Sequence, residues 1–166
     1  TCYWMDPTLS NNHFISTPFP SSYHWNDNIT DIPWKKSSNI SRTFLISYLG
    51  GVQTLNPDHT KIRREMTEQC KQINNSTICN WIQITHSSTD SLLTQSIQVY
   101  RRSVFCLCPP GDDPARKALF DIILSGCIPV VFHPSTLHNQ YPFHVTEKIA
   151  REISIYIPGK ALRMKQ

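Results

Sequence analysis

The chain has no apolar run approaching the length of about eighteen residues that a membrane-crossing helix requires, and its apolar fraction is 39%. A spanning helix within these 166 residues is therefore excluded. It also lacks an initiator Met and a charged-then-apolar leader. It opens on Thr1-Cys2-Tyr3-Trp4, which reads as the interior of a longer protein with any anchor or signal upstream. The formal charge of +4 comes without a basic stripe, because Lys and Arg gather only into doublets such as Lys35-Lys36, Arg63-Arg64 and Arg101-Arg102. That scatter argues against nucleic acid as a partner and suits a phosphorylated small molecule, or a solvated surface with no partner. None of the six cysteines is spaced as in a zinc finger or ribbon, and His133, His138 and His144 have no metal-ligand spacing. No Asp-x-Asp occurs to hold a divalent cation, and no internal repeat is evident.

What is present fits one ordinary domain, long enough to bury a core without relying on disulfides or metal. Cys70 and Cys79 flank the polar, Asn-rich segment 71–78, where a bridge would staple a surface loop in an oxidising compartment. Cys106 and Cys108 alternate on an apolar run and read as small buried hydrophobes. Asn28, Asn39, Asn74 and Asn75 each begin an N-x-Ser/Thr sequon. At this Asn and Ser/Thr content roughly two sequons arise by chance, so four lean modestly towards the secretory pathway.

Residues 1–41 are rich in Pro, Ser and Asn and show no sustained period, as expected of an irregular connector, and the ordered domain is expected over 42–166. Thr43 to Leu49 form a short apolar run ended by Gly50-Gly51, a buried strand leading into a tight loop. Asn56-Pro57-Asp58 opens a helix with Ile62, Met66 and Cys70 on its face, reaching about Ile73. A strand at 81–85 follows, then a helix over 89–102 and a strand at 104–107. Asp113-Pro114 reads as a helix start, Leu119, Ile122 and Ile123 as its apolar face, and Gly126 as its end before a strand that begins near Pro129. Strands alternating with helices predict a Rossmann-like parallel sheet covered on both faces. Ligands of such sheets sit beyond the carboxyl ends of the strands, where the Gly50-Gly51 and 109–113 loops lie.

The segment Phe105-Cys-Leu-Cys-Pro-Pro-Gly-Asp-Asp-Pro-Ala-Arg-Lys-Ala-Leu-Phe-Asp-Ile-Ile-Leu-Ser-Gly-Cys-Ile-Pro-Val-Val carries the chemistry. It is a strand, a glycine-bearing loop and a helix whose free N–H groups suit a phosphate. Gly111 would let the backbone approach an anion, beside Asp112. Arg116 could fork onto a diphosphate as Lys117 cannot, and Asp121 could bond ribose hydroxyls. Spacing alone leaves a second reading open, an ordinary capped helix with Lys117 and Asp121 as an exposed i,i+4 pair.

The run Phe-Cys-Leu, Pro-x-Gly-Asp, Arg, Phe-Asp, Gly-Cys-Ile-Pro-Val resembles the signature of exostosin-type glycosyltransferases. Phe132-His133-Pro134 with Gln140-Tyr141 is similar to the plant xyloglucan galactosyltransferase branch. Upstream, Thr17 to His24 resembles that family's connector, and Ile62-Arg63 and Gln69-Cys70 its first helix. The similarity spans residues 17–157 and is most specific at 103–132. It implies the C-terminal, donor-binding half of a two-domain GT-B enzyme, joined to an N-terminal half of the same full-length protein that supplies most of the acceptor site. It further implies a UDP-sugar donor, with galactose the expected sugar, and a polysaccharide or glycan acceptor. Transfer would invert the anomeric carbon with no cofactor and no obligatory metal. The expected location is the Golgi lumen, as a type II membrane protein anchored outside this chain. Residue by residue the resemblance carries over Arg116 and Asp121, and with the loop reading above the expected donor residues are Gly111, Asp112, Arg116, Lys117 and Asp121, with Gly50 and Gly51 of the first strand's loop. No catalytic base is assigned, and His24 is read as structural. Ala115 departs from the Thr usual in the plant branch, and the match after His133 is patchy. A non-catalytic nucleotide- or carbohydrate-binding module derived from the family is the alternative.

Overall fold

The computed structural model describes Phe19, Ser21 and residues 41–84, 90–137, 141 and 144–163. Most of the expected connector, including His24, Asn28 and Asn39, lies outside the described residues, as do His138 and Gln140.

Five parallel strands form one sheet in the order β2-β1-β3-β4-β5: β1 (Phe44–Leu49), β2 (Cys79–Ile82), β3 (Ser103–Cys108), β4 (Ile128–Val131) and β5 (Ile155–Tyr156). The helices between them are α1 (Pro57–Ile73), α2 (Asp90–Arg101), α3 (Lys117–Leu124) and α4 (Glu147–Ile153). This is a Rossmann-like α/β sheet with helices on both faces. Neighbouring residues along a strand point to opposite faces. Tyr48, Val130 and Phe132 accordingly pack with Ile62 and Met66 of α1 on one side. Leu49, Cys106, Cys108 and Val131 pack with Tyr100 of α2 and with Leu119 and Ile122 of α3 on the other. Full burial of aliphatic side chains such as Leu119 and Ile122 contributes about 1.5–3 kcal/mol each.

Local chemistry sets the element ends. Asn56 caps α1, its side-chain oxygen accepting from the Asp58 N–H at 2.9 Å, and Pro57 occupies the first helical position where no N–H is needed. Asn74 ends that helix in the left-handed region at φ 47°. The α3 helix ends at Gly126, φ 66°, whose N–H reaches the Ile123 carbonyl at 2.9 Å while that of Cys127 reaches Ile122 at 3.2 Å. These are the paired bonds of a glycine-terminated helix.

Three expectations need correction. The helix after β3 does not open at Asp113-Pro114 but at Lys117, with Arg116 as the extended residue before it, φ −134° and ψ 121°. The Asp113 carboxylate accepts from the Ala115 N–H at 2.8 Å instead, making a local turn that competes with helix initiation. Cys106 is not a free buried thiol, since it is bonded to Cys127 immediately before β4; Cys108 is the free one, fully buried. The second strand begins at Cys79 rather than Trp81, because β2 is drawn into register with β1 by the bond from Cys79 to Cys70 of α1 and by pairing of Ile46 with Cys79. The sequence reading also stops at four strands and misses α4 and β5, whose short patterns of seven and two residues carry little periodic signal. Among the described residues, no helix is long and apolar enough to cross a membrane.

Candidate functional site

In the order 2-1-3-4-5 the chain moves outward from β1 to β2 and then returns to β3 on the other side of β1, so the strand order reverses between β1 and β3. The loops leaving the carboxyl ends of those two strands diverge there and leave a crevice. A cavity of about 570 Å³ occupies it. That volume suits a molecule the size of a nucleotide.

The β1 loop contributes Gly50 and Gly51, whose carbonyls are fixed by the Trp81 indole at 3.3 Å and the Tyr48 hydroxyl at 2.8 Å. A Cβ on Gly50 would meet that hydroxyl at 2.8 Å, which explains the small residue there. The β3 loop contributes Gly111 and Asp112. Its shape is held by His59 of α1, which donates from Nδ1 to the Gly111 carbonyl at 2.6 Å, and by Asp112, which accepts the Leu55 N–H at 2.7 Å. His59 stands edge-on to His133, their ring centroids 6.0 Å apart, and burial together with His59 pushes the His133 pKa down. The first turn of α3 brings Lys117 and Ala118 to the wall, followed by Asp121 one turn later, and no side chain caps that helix. The start of an uncapped helix, with the positive end of its dipole, thus forms part of the cavity wall.

All seven residues that the sequence singled out, Gly50, Gly51, Gly111, Asp112, Arg116, Lys117 and Asp121, line this one cavity. Gly111 sits under the Arg116 side chain, for a Cβ there would lie 2.1 Å from Nη1. Lys117 and Asp121 do pair at 3.0 Å, but the Asp121 side chain is only 8% exposed, so this is no ordinary surface pair. The other carboxylate oxygen accepts from the Ser21 hydroxyl at 2.5 Å.

Sequence reasoning missed four contributors. Leu49, Ile84 and Tyr100 give the wall an apolar stretch against which a planar ring could lie, and nothing in their local pattern distinguishes them from core. Burial pushes the Tyr100 phenol upward, keeping it neutral. Arg63 of α1 also lines the cavity. The signal for it was available: it is a charged residue on the inward face that carries His59, Ile62, Met66 and Cys70. Among the described residues, no group of three or more His, Cys, Asp or Glu is placed to hold a metal ion.

The Exostosin GT47 domain matches residues 6–164. The chain belongs to this family. It is 34% identical over 153 residues to the xyloglucan-specific galacturonosyltransferase 1 of Arabidopsis thaliana, a match that covers 92% of this chain and 22% of that protein. It is 35% identical over 154 residues to the probable xyloglucan galactosyltransferase GT20 of the same plant, covering 92% of this chain and 26% of the relative. To the xyloglucan galactosyltransferase MUR3 it is 30% identical over 157 residues, covering 93% and 24%. The chain thus spans about a quarter of the length of these curated relatives.

Proposed function

We propose that this exostosin-family chain is the donor-binding half of an inverting, GT-B glycosyltransferase that moves a sugar from a UDP-sugar to a polysaccharide or glycan. The observation that supports it most is the crevice at the strand-order reversal, where Gly111, the Arg116 guanidinium and an uncapped helix start converge opposite a buried carboxylate. A diphosphate lying over Gly111 would take charge-assisted bonds from Arg116 and backbone bonds from the start of α3. Asp121 would exchange its Ser21 and Lys117 partners for ribose hydroxyls, and the uracil ring would lie towards Leu49, Ile84 and Tyr100. In the transfer step the C1–O bond to the diphosphate breaks as the acceptor oxygen bonds C1 from the opposite side. Arg116 and the helix start stabilise the charge that gathers on the departing diphosphate. No base for the acceptor proton is assigned among the described residues, and the N-terminal half is the part of the protein that would supply it.

Relatives named for galactose and for galacturonic acid transfer are similar to this chain to nearly the same degree. Galactose is our choice of sugar, on the similarity of 132–141 to the galactosyltransferase branch. The proposed setting is the Golgi lumen, anchored by a segment outside this chain, with glycans at the exposed Asn74 and Asn75 of the α1–β2 loop. The full-length protein, incubated with UDP-galactose and a galactose-free xyloglucan oligosaccharide in excess chelator, should form a β-galactoside, the inverted product of an α-linked donor. An α-linked product, or transfer that requires Mn²⁺ or Mg²⁺, would overturn the inverting, metal-independent reading.

A further inference from the structure

Arg63 lies on the inward face of α1 and is 5% exposed. A guanidinium in such a place is costly unless its five N–H groups are satisfied. Two are accounted for by neutral carbonyls: Nε donates to Pro110 at 2.8 Å and Nη1 to Gly51 at 3.0 Å. These carbonyls belong to the two loops that flank the cavity, so the side chain ties the end of β1 to the end of β3. The third nitrogen, Nη2, is buried and has no hydrogen-bond partner among the described residues, and the same is true of the Arg116 Nε. Neither arginine forms an ion pair with a carboxylate among the described residues. Asp112 is near enough to favour the Arg63 charge, but its Oδ1 is taken by the Leu55 N–H.

The two guanidiniums converge on one point. A Cβ placed on Gly111 would lie 2.1 Å from Nη1 of Arg116 and 3.4 Å from Nη2 of Arg63. The Arg116 charge therefore disfavours that of the buried Arg63, and no carboxylate among the described residues forms an ion pair with either. One forked cation suffices for a single phosphate or a carboxylate. Two, arriving from α1 and from the extended residue before α3 over a residue with no side chain, match an anion that presents two charged groups along its length.

We propose that Arg63 is a second anion-binding guanidinium of this cavity, acting with Arg116 across Gly111 to select a diphosphate over a monophosphate. The inference rests on the donor reading above and adds to it the residue that sets the phosphate count.

Calorimetric titration of the full chain with UDP, UMP and inorganic diphosphate tests it, comparing the wild type with Arg63→Lys and Gly111→Ala. The wild type should bind UDP at least about tenfold more tightly than UMP. Arg63→Lys keeps the charge and one bond to the loops but loses the fork, and should erase most of that preference while UMP affinity stays within about twofold. Unchanged UDP affinity in folded Arg63→Lys would reduce Arg63 to a loop tie and overturn the proposal. Should that variant fail to fold, Gly111→Ala decides, since it fills the cradle and removes no bond made by Arg63. It should lose UDP and diphosphate alike, and undiminished binding overturns the proposal. If the wild type binds inorganic diphosphate but not UDP, and Arg63→Lys or Gly111→Ala loses it, the cradle stands and the donor reading falls. A wild type that binds neither overturns both.

Discussion

Lysine at position 116 would keep the charge and lose the geometry. The Arg116 guanidinium lies over Gly111 at the edge of the cavity and, unlike Arg63, no hydrogen bond among the described residues ties its side chain to a loop, so its replacement should disturb ligand binding more than folding. Charge-assisted bonds of this kind contribute roughly 1.5–3 kcal/mol each. Arg116→Lys should therefore weaken UDP binding at least about tenfold by calorimetry, and Arg116→Ala more. Lys117→Ala, which removes a side chain 42% exposed, should do less. The Cys108 thiol is a separate test at this scale. Burial pushes its pKa from 9.0 up to about 11, with Arg116 and Arg63 opposing the shift. A raised folded pKa contributes stability that is complete below the unfolded value and is lost as pH rises through the folded one. Alkaline unfolding should thus show a loss between about pH 9 and 11 that Cys108→Ala removes, and at neutral pH the folded protein should resist thiol alkylation at this position. Gly111, Arg116 and Asp121 were legible because they stand within one continuous motif. Arg63 stood on a legible inward face of α1, but its role did not, because the carbonyls it holds are 12 and 47 residues away and only the folded chain brings them together.

The elements were read to within a residue or two wherever an apolar period was clear, as for α1, α2 and β1. They were misread where a side chain offered the backbone another partner. Asp113 looks like a helix cap, yet its carboxylate closes a turn onto Ala115, and that delays α3 until Lys117. The delay matters, because it leaves Arg116 extended at the head of the helix rather than wound into its first turn. Alternation correctly placed Cys106 and Cys108 inside, but a period of 2 says nothing about which buried thiol meets Cys127 across the start of β4. That bridge closes a loop of 21 residues containing the whole of α3. Replacing both partners with Ala should cost about 3 kcal/mol in denaturant unfolding, the loop-closure expectation. A loss well under about 1 kcal/mol would mean that packing of Leu119 and Ile122 alone holds α3 on the sheet.

For the whole molecule, alternation of strand and helix sufficed to predict a parallel sheet. The order 2-1-3-4-5 could not be predicted, because it depends on which side of β1 the α2 crossover lands. That order makes the crevice, and with it the site. The Exostosin GT47 domain runs through nearly the entire chain, so sheet, crevice and motif belong to one unit. On the function proposed above, this crevice binds a uridine diphosphate group. Thermal unfolding in excess chelator, followed over rising UDP concentration, tests it most directly, since a ligand of the native state alone stabilises by RT ln(1 + [L]/Kd). The midpoint should climb with the logarithm of UDP concentration, climb less with GDP or uridine, and stay flat with UDP in Arg116→Ala. A midpoint indifferent to UDP, or one that climbs equally in Arg116→Ala, would contradict it.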